Sequence, residues 1–408
     1  MIDRILRGAP VLWAALLRRI ATGMFVLVAT IAAVLPARAV VQSTPSEAAI
    51  VVDMSSGAIL LEKNADMPIP PASMSKLMTL EVVFDALESG RLGLEDQFRT
   101  SARASSMGGS KMFIREGESV SVENLLRGIV VHSGNDAAVA LAEALTGTEE
   151  AFAAFLNKRA EAIGLTGSHF VNSTGWPHPE HVMTVRDLAR LGERIIREYG
   201  AYYPYFIEEE FTWDDITQRN RNPLLGEGLG VDGLKTGHTE EAGFGLVASA
   251  KRGDRRVLIV VTGLATAAPR RQEVERLINW AFRAFETRRL FAAGEPLLEA
   301  SVWIGERDRV PLAPAEDVIV TLPIGTGAAP DLIARYREPF EAPVEAGAAL
   351  GAVLIRVEGL ADVEVPLVAT ETVGRGGFIA RVQAAAHLAV SRILSGDGTE
   401  TAEPAGGS

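Results

Sequence analysis

Apolar residues recur along this chain at two spacings, and the switch between them sets its organisation. Ala49–Asp53 and Ala58–Glu62 are β-rich runs joined by Met54-Ser55-Ser56-Gly57, which predicts a hairpin. Pro68, Pro70 and Pro71 forbid regular structure up to Ala72. A helix is expected to begin at Ser73, because Met74, Leu77, Met78, Val82 and Leu87 recur at helical spacing, and Gly90 stops it. Residues 100–118, rich in Ser, Gly and Met, read as a loop. Helical patterns follow over Val122–Val131, over Asn135–Leu145, and from a Thr148 cap to about Ile163. Thr184 and Asp187 make a capping-box-like start for another helix through Ile196.

After Lys235 the character changes. Phe244–Ala250 and Val257–Thr262 flank Gly253-Asp254 and predict a second hairpin, and Arg270–Thr287 returns to helical period. From about Leu290 the chain reads as short strands between turns: Ala300–Ile304, Val318–Leu322, Ala352–Val357 and Val363–Val368. That pattern predicts a separate small β domain over 290–376. Gly374-Arg375-Gly376-Gly377 breaks the chain, Phe378–Leu394 carries one last helical period, and Gly396–Ser408 has the composition of a disordered tail. There is no internal repeat.

The first 39 residues stand apart. Arg4, Arg7, Arg18 and Arg19 precede the uncharged apolar run Met24–Val34, and Ala37-Arg38-Ala39 follows as an A-x-A cleavage site, so 1–39 reads as a secretory signal peptide. The apolar run has eleven residues, against the ~20 that span a bilayer. Its removal takes away five arginines and one aspartate and moves the net charge from −12 to −16. A polyanion lacks the cationic surface that phosphate backbones need, so nucleic acid is not expected as a partner. The chain has no cysteine, which excludes thiol catalysis and thiolate metal sites. With six histidines, no HExxH and no carboxylate cluster beside them, no metal or other cofactor is expected.

Three short motifs carry the candidate chemistry, in order: Ser73-Met74-Ser75-Lys76, Ser133-Gly134-Asn135 and Lys235-Thr236-Gly237. Ser73 at a helix start puts its backbone N–H among donors with no helical partner, where the dipole also favours negative charge. Lys76, three residues on, falls on the same helix face. A serine hydroxyl needs a base to become a nucleophile, and a neutral lysine is one. Burial and a second cation, for which Lys235 is the candidate, both lower a lysine pKa from its usual ~10.4. Singly, each motif is commonplace: a helix cap and a solvated lysine, a turn, a strand end. Together in this order, before an apolar helix, at a helix junction and ahead of a β hairpin, they mark penicillin-binding proteins and class A β-lactamases.

The segments Pro71–Thr79, His132–Ala137 and Val231–Thr239 resemble the low-molecular-mass penicillin-binding D-alanyl-D-alanine carboxypeptidases, as do Gly164-Leu165, His169-Phe170 and Arg186-Asp187-Leu188. The resemblance covers roughly 46–290. It implies an α+β, multi-domain chain: a transpeptidase-like domain over 40–289 with a five-stranded antiparallel sheet between helices, then the small β domain, then a tail over 377–408. It implies that Ser73 attacks the penultimate D-alanine carbonyl, Lys76 accepts the proton and Ser133 relays one to the leaving amine. It further implies that Asn135 holds substrate backbone and steadies Lys76, and that Lys235, Thr236 and Gly237 frame the terminal carboxylate. The N–H groups of Ser73 and His238 would make the oxyanion hole. Arg221, and Arg270 or its neighbour Arg271, match positions facing the substrate carboxylate. The implied partners are peptidoglycan pentapeptide stems, with β-lactam antibiotics as covalent inhibitors, in the periplasm.

Two features depart from the family pattern or leave a choice open. Thr174-Gly175-Trp176 stands where familiar members carry His-Gly-Leu, in the loop below the site. The tail helix has one aromatic and many alanines, so it either makes weak peripheral membrane contact or docks on the protein surface. A class A β-lactamase is the nearest rival, but its Glu-x-x-x-Asn loop pattern is absent, although Glu180 lies in that neighbourhood. A D,D-endopeptidase uses the same bond chemistry. A non-catalytic cell-wall scaffold has no use for a nucleophile–base pair.

Overall fold

A computed structural model describes residues 43–325 and 329–378. The leader expected over 1–39 and, apart from Phe378, the expected tail helix lie outside these residues. A five-stranded antiparallel sheet forms the centre, in the order Ala58–Lys63, Ala48–Asp53, Arg255–Leu264, Gly243–Arg252, Val231–Thr239. Both faces are covered. Ile50, Val52, Val247, Leu258 and Val260 meet the larger helical layer, while Val51, Leu246, Ala248, Ile259 and Val261 meet Val274, Leu277 and Ile278 of the helix Ala267–Ala284. Two-sided burial is why these strands read as continuous apolar runs rather than alternating ones.

The helix Lys76–Glu88 runs through the middle of the larger layer, with every residue but Asp85 and Glu88 buried. It carries one buried acid, Glu81, which is held by Arg159 at 2.8 Å, Arg194 at 2.9 Å and the Tyr199 hydroxyl at 3.1 Å. A buried carboxylate is tolerated only with such partners, and these three tie the helix to Glu149–Ala162 and Val185–Glu198. Thr148 and Thr184 cap those two helices, accepting from the N–H groups of Ala151 and Asp187.

Three expectations are corrected. The α-helix begins at Lys76, and Ser73 sits in a tight 3-10 turn, Ala72–Ser75, in front of it. The stretch expected as a loop holds a short helix, Ala102–Ser106, capped by Ser101. The helical period of Arg270–Thr287 stops at Ala284, after which Phe285–Phe291 is a strand paired with Val318–Pro323. Phe285 keeps the apolar spacing because its ring packs edge-on against Trp280 at 5.2 Å, so it belongs to the core in either conformation.

The C-terminal part is all β. A six-stranded sheet runs Asp331–Tyr336, Ala349–Arg356, Val363–Ala369, Arg309–Pro314, Leu298–Trp303, Phe340–Glu341 around cores that include Val310, Leu312, Val320 and Leu367. Ser56, in the turn of the first hairpin, shares a 2.6 Å hydrogen bond with Thr321. Among the described residues no helix is long and apolar enough to cross a membrane, and no group of three or more His, Asp or Glu is placed to hold a metal ion.

Candidate active site

The nucleophile candidate is set by a turn packed from two sides. Gly175, at φ +75°, lies so close that a Cβ there would fall 1.8 Å from the Ala72 carbonyl oxygen. Gly237 lies on the other side, where a Cβ would meet the Pro71 oxygen at 2.9 Å and Met74 Cγ at 3.0 Å. The glycine of Lys-Thr-Gly is therefore a contact requirement between the strand and the Ser73 turn.

Lys76 Nζ donates to Ser73 Oγ at 2.9 Å and to the Thr174 carbonyl at 2.6 Å, and its side chain is fully buried. Burial pushes its pKa down to about 7, against the upward pull of the Asp136 and Glu149 carboxylates. Of the two expected causes, burial is the one at work, and the charge of Lys235 is not.

Lys235 Nζ donates to Ser133 Oγ at 2.8 Å. Burial lowers its pKa too, and the charges of Lys76, Arg221 and Arg270 lower it further. Ser133 sits at the junction of Val122–Val130 and Asn135–Thr146 with φ +61°. The two hydroxyl–amine pairs thus lie close enough for one ammonium to be felt at the other.

Two buried carboxylates build the frame. Asp136 accepts from the backbone N–H groups of Met112, Phe113, Ile114 and Ala137 at 2.8–3.3 Å, which folds the 108–114 segment over the Ser-Gly-Asn turn. Glu149 accepts from Ser173 N at 3.1 Å, Ser173 Oγ at 2.7 Å and Arg103 at 2.7 Å. It thereby fixes the strand of chain whose next carbonyl, Thr174, holds Lys76. Asn135 differs from its expected role: its amide donates to the Gly108 carbonyl at 2.7 Å and does not engage Lys76.

A cleft of about 500 Å³ opens over this frame, lined by Ser73, Asn135, Thr174, Arg221, His238 and Thr239 among others. Lys76, Lys235 and Thr236 are buried behind that lining. Arg221 donates to Gln218 at 3.0 Å at the wall. Arg270 and Arg271 are told apart: Arg271 is ion-paired to Glu227 at 2.8 Å, whereas Arg270 is 7% exposed, has no carboxylate within ion-pair distance among the described residues and lies over the Phe244 ring. Phe244 in turn packs against His238, with ring centroids 3.8 Å apart and the planes tilted by 31°. Glu180 is exposed and does not line the cleft.

Residues 36–266 match a family described as D-alanyl-D-alanine carboxypeptidase, and residues 285–375 match one described as penicillin-binding protein 5, C-terminal domain. D-alanyl-D-alanine carboxypeptidase DacC of Escherichia coli (strain K12) is 38% identical over 350 residues, covering 83% of this chain and 87% of that protein. Penicillin binding protein 5 from Haemophilus influenzae superposes with a TM-score of 0.75 at 35% identity, covering 82% of this chain and 100% of that one. Penicillin-Binding Protein D2 from Listeria monocytogenes, solved in the cefotaxime-bound form, has a TM-score of 0.55 at 30% identity over 59% of this chain and 99% of its own. The chain belongs to the D-alanyl-D-alanine carboxypeptidase family. It is a penicillin-binding protein of low molecular mass and a serine-type carboxypeptidase.

In this carboxypeptidase several site-forming groups escaped sequence reasoning. The Thr174 carbonyl is a backbone atom with no letter of its own. Glu149 looks like an ordinary first-turn helix acid, and Asn172, which accepts from the N–H groups of Thr174, Gly175 and Trp176, looks like a turn residue. Asp136, directly after Asn135, was the one available signal.

Asp136→Ala leaves four N–H groups without their acceptor, three of them in the segment over the site. Each buried unsatisfied donor costs about 1–3 kcal/mol, so the urea midpoint should correspond to a loss of roughly 3 kcal/mol or more, and labelling by fluorescent penicillin should slow at least about tenfold. An unchanged midpoint would show that the carboxylate does not hold this frame.

Proposed function

We propose that Ser73, Lys76 and Ser133 are the catalytic groups, with Asn135, Lys235, Thr236, Gly237, His238, Arg221 and Arg270 as the substrate-binding set. The observation that carries this reading is the pair of buried amines, each bonded to a different hydroxyl behind one cleft. Neutral Lys76 takes the Ser73 proton as Oγ attacks the penultimate D-alanine carbonyl. The developing oxyanion lies between the N–H groups of Ser73 and His238. Ser133, held by Lys235, relays to the leaving nitrogen the proton that Lys76 took from Ser73, the C–N bond breaks, free D-alanine departs, and Lys76 is left neutral beside an ester on Ser73. Water then cleaves that ester and returns the hydroxyl to its starting state.

The terminal carboxylate is placed against Lys235 and Thr236, a charge-assisted contact. Arg221 at the wall and unpaired Arg270 behind Phe244 add positive potential there. Asn135 orders the covering segment through Gly108 and presents its remaining amide oxygen to substrate. The substrate is the pentapeptide stem of peptidoglycan, and a β-lactam forms the same ester with Ser73. The cefotaxime-bound Listeria relative supports the latter. We further propose export by the 1–39 leader to the periplasm, a catalytic domain over 40–289, a β domain over 290–376, and weak peripheral membrane contact by the segment that follows.

Incubating the protein with a peptide ending in D-Ala-D-Ala should release many equivalents of D-alanine per chain, while penicillin is consumed in one rapid equivalent followed by slow turnover. The reverse ratio, fast antibiotic hydrolysis with no D-alanine, would overturn this reading in favour of a β-lactamase.

A further inference from the structure

One border of the C-terminal six-stranded sheet is the two-residue strand Phe340–Glu341; the other, Asp331–Tyr336, is long and bare. It pairs only with Ala349–Arg356, in an unbroken register from Asp331 opposite Arg356 to Tyr336 opposite Gly351. None of its six residues is buried. Leu332, 41% exposed, and Ile333, 38% exposed, put large apolar side chains on opposite faces of the strand. Proline, glycine, lysine and bulges are the usual devices that stop an edge from pairing, and this strand has none of them. Its outward amides and carbonyls have no neighbouring strand among the described residues. Two of its charges are also unmatched. Asp331 and Arg335 share the face of Ile333, lie too far apart along the strand to meet, and have no ion-pair partner among the described residues. Arg356, across from Asp331, is already paired with Asp362 at 3.1 Å.

We propose that Asp331–Tyr336 is a homodimer surface, on which a second copy of this chain adds its own Asp331–Tyr336 strand antiparallel about a two-fold axis at Ile333. The charges select this occupant. With the axis at Ile333, Asp331 of one copy lies opposite Arg335 of the other, and Arg335 opposite Asp331. The two Ile333 side chains meet between these ion pairs, and on the other face Leu332 lies opposite Ala334. Directly opposed residues of an antiparallel pair have Cα atoms ~4.5–5.5 Å apart, so each carboxylate reaches a guanidinium. Parallel in-register pairing would set Asp331 on Asp331 and Arg335 on Arg335. Any extended peptide can use the main-chain groups, but a strand whose two charges answer each other about its own middle is matched by its own copy. Pairing here is independent of the chemistry of the cleft.

Sedimentation velocity of the full chain over a range of about 1–100 μM should show a reversible monomer–dimer equilibrium, because one added strand buries less area than stable dimers use. Asp331→Arg and Arg335→Asp each set like charges opposite one another at two places, and each should raise the dissociation constant about tenfold or more. The double variant D331R/R335D restores both pairs with their signs exchanged, and should return to within about threefold of wild type. The chain has no cysteine. Ile333→Cys should therefore oxidise to a covalent dimer, whereas Asp331→Cys, whose two copies stand about 13 Å apart along the strands, should not. A wild-type chain that stays monomeric across the concentration range overturns the proposal with no variant needed. A dimer unmoved by either single charge change, or a double variant no tighter than the singles, overturns it as well, since another surface would then hold the copies together.

Discussion

Replacing Ser73 by alanine is expected to abolish covalent labelling by fluorescent penicillin and to cut D-alanine release about 10⁴-fold or more, the scale seen when a serine nucleophile is deleted. The reason is local. Among the described residues that line the cleft, Ser73 is the hydroxyl bonded to a buried amine, which is why it is proposed as the group that forms the ester. Structure should survive the change, since Lys76 keeps its 2.6 Å bond to the Thr174 carbonyl. The melting temperature should therefore stay within a few degrees of wild type, on the order of 1 kcal/mol or less. Label retained on the alanine variant would move the nucleophile elsewhere and sink the assignment.

The second large effect belongs to Lys76. Lys76→Met should slow acylation by penicillin about 10²–10⁴-fold, the usual contribution of a positioned base. The wild-type pH dependence should carry the same signature. Acylation needs the neutral amine, so the rate should climb with pH, level off above about 7 and fall tenfold per unit below it. Stability supplies an independent check with a definite sign. The folded chain releases the Lys76 proton near pH 7, whereas the unfolded chain holds it to about 10.5. Between those values the unfolded state binds more protons, so wild-type stability should rise with pH across that window relative to Lys76→Met. A rate profile flat from pH 5 to 9, or parallel stability curves for the two proteins, would mean that the amine is charged at work and that another group is the base.

Much of this fold was readable in advance because its elements are buried on both sides and bounded by turns. The helix from Thr148, the helix from Thr184 and the hairpin around Gly253 follow from caps and apolar runs that act over a few residues. What escaped reading lacks such a signal. Glu210–Trp213 and Ile216–Arg219 pair as a hairpin with little of either strand buried, and Asp331–Tyr336 is exposed along almost its whole length, so neither shows an inward-facing rhythm. The boundary at Ala284 escaped because Phe285 serves the same core after the chain changes conformation.

In the site the division is similar. Ser73, Lys76, Ser133 and Lys235 are contiguous letters in short motifs, and the fold brings them together in two bonded pairs. Of the two causes expected for the low Lys76 pKa, burial acts and the Lys235 charge does not, because a sequence can nominate a neighbouring cation but does not show how its charge is spent. The partner of Asn135 was misjudged for a related reason: a loop carbonyl at Gly108 competes for its amide, and only the folded path of that loop reveals it.

Val231–Thr239 is the last strand of its sheet, and its outward row of amides and carbonyls has no neighbouring strand among the described residues. Such a border is ordinarily a hazard, since any extended chain can zip onto it. On the proposed function the hazard would have a use: an extended peptide added along this border would have its main chain aligned beside Ser73 whatever its side chains are. Recognition of that kind favours stretched, unfolded ends over globular surfaces. It would steer the enzyme toward the free tips of flexible polymers and away from the folded proteins around it.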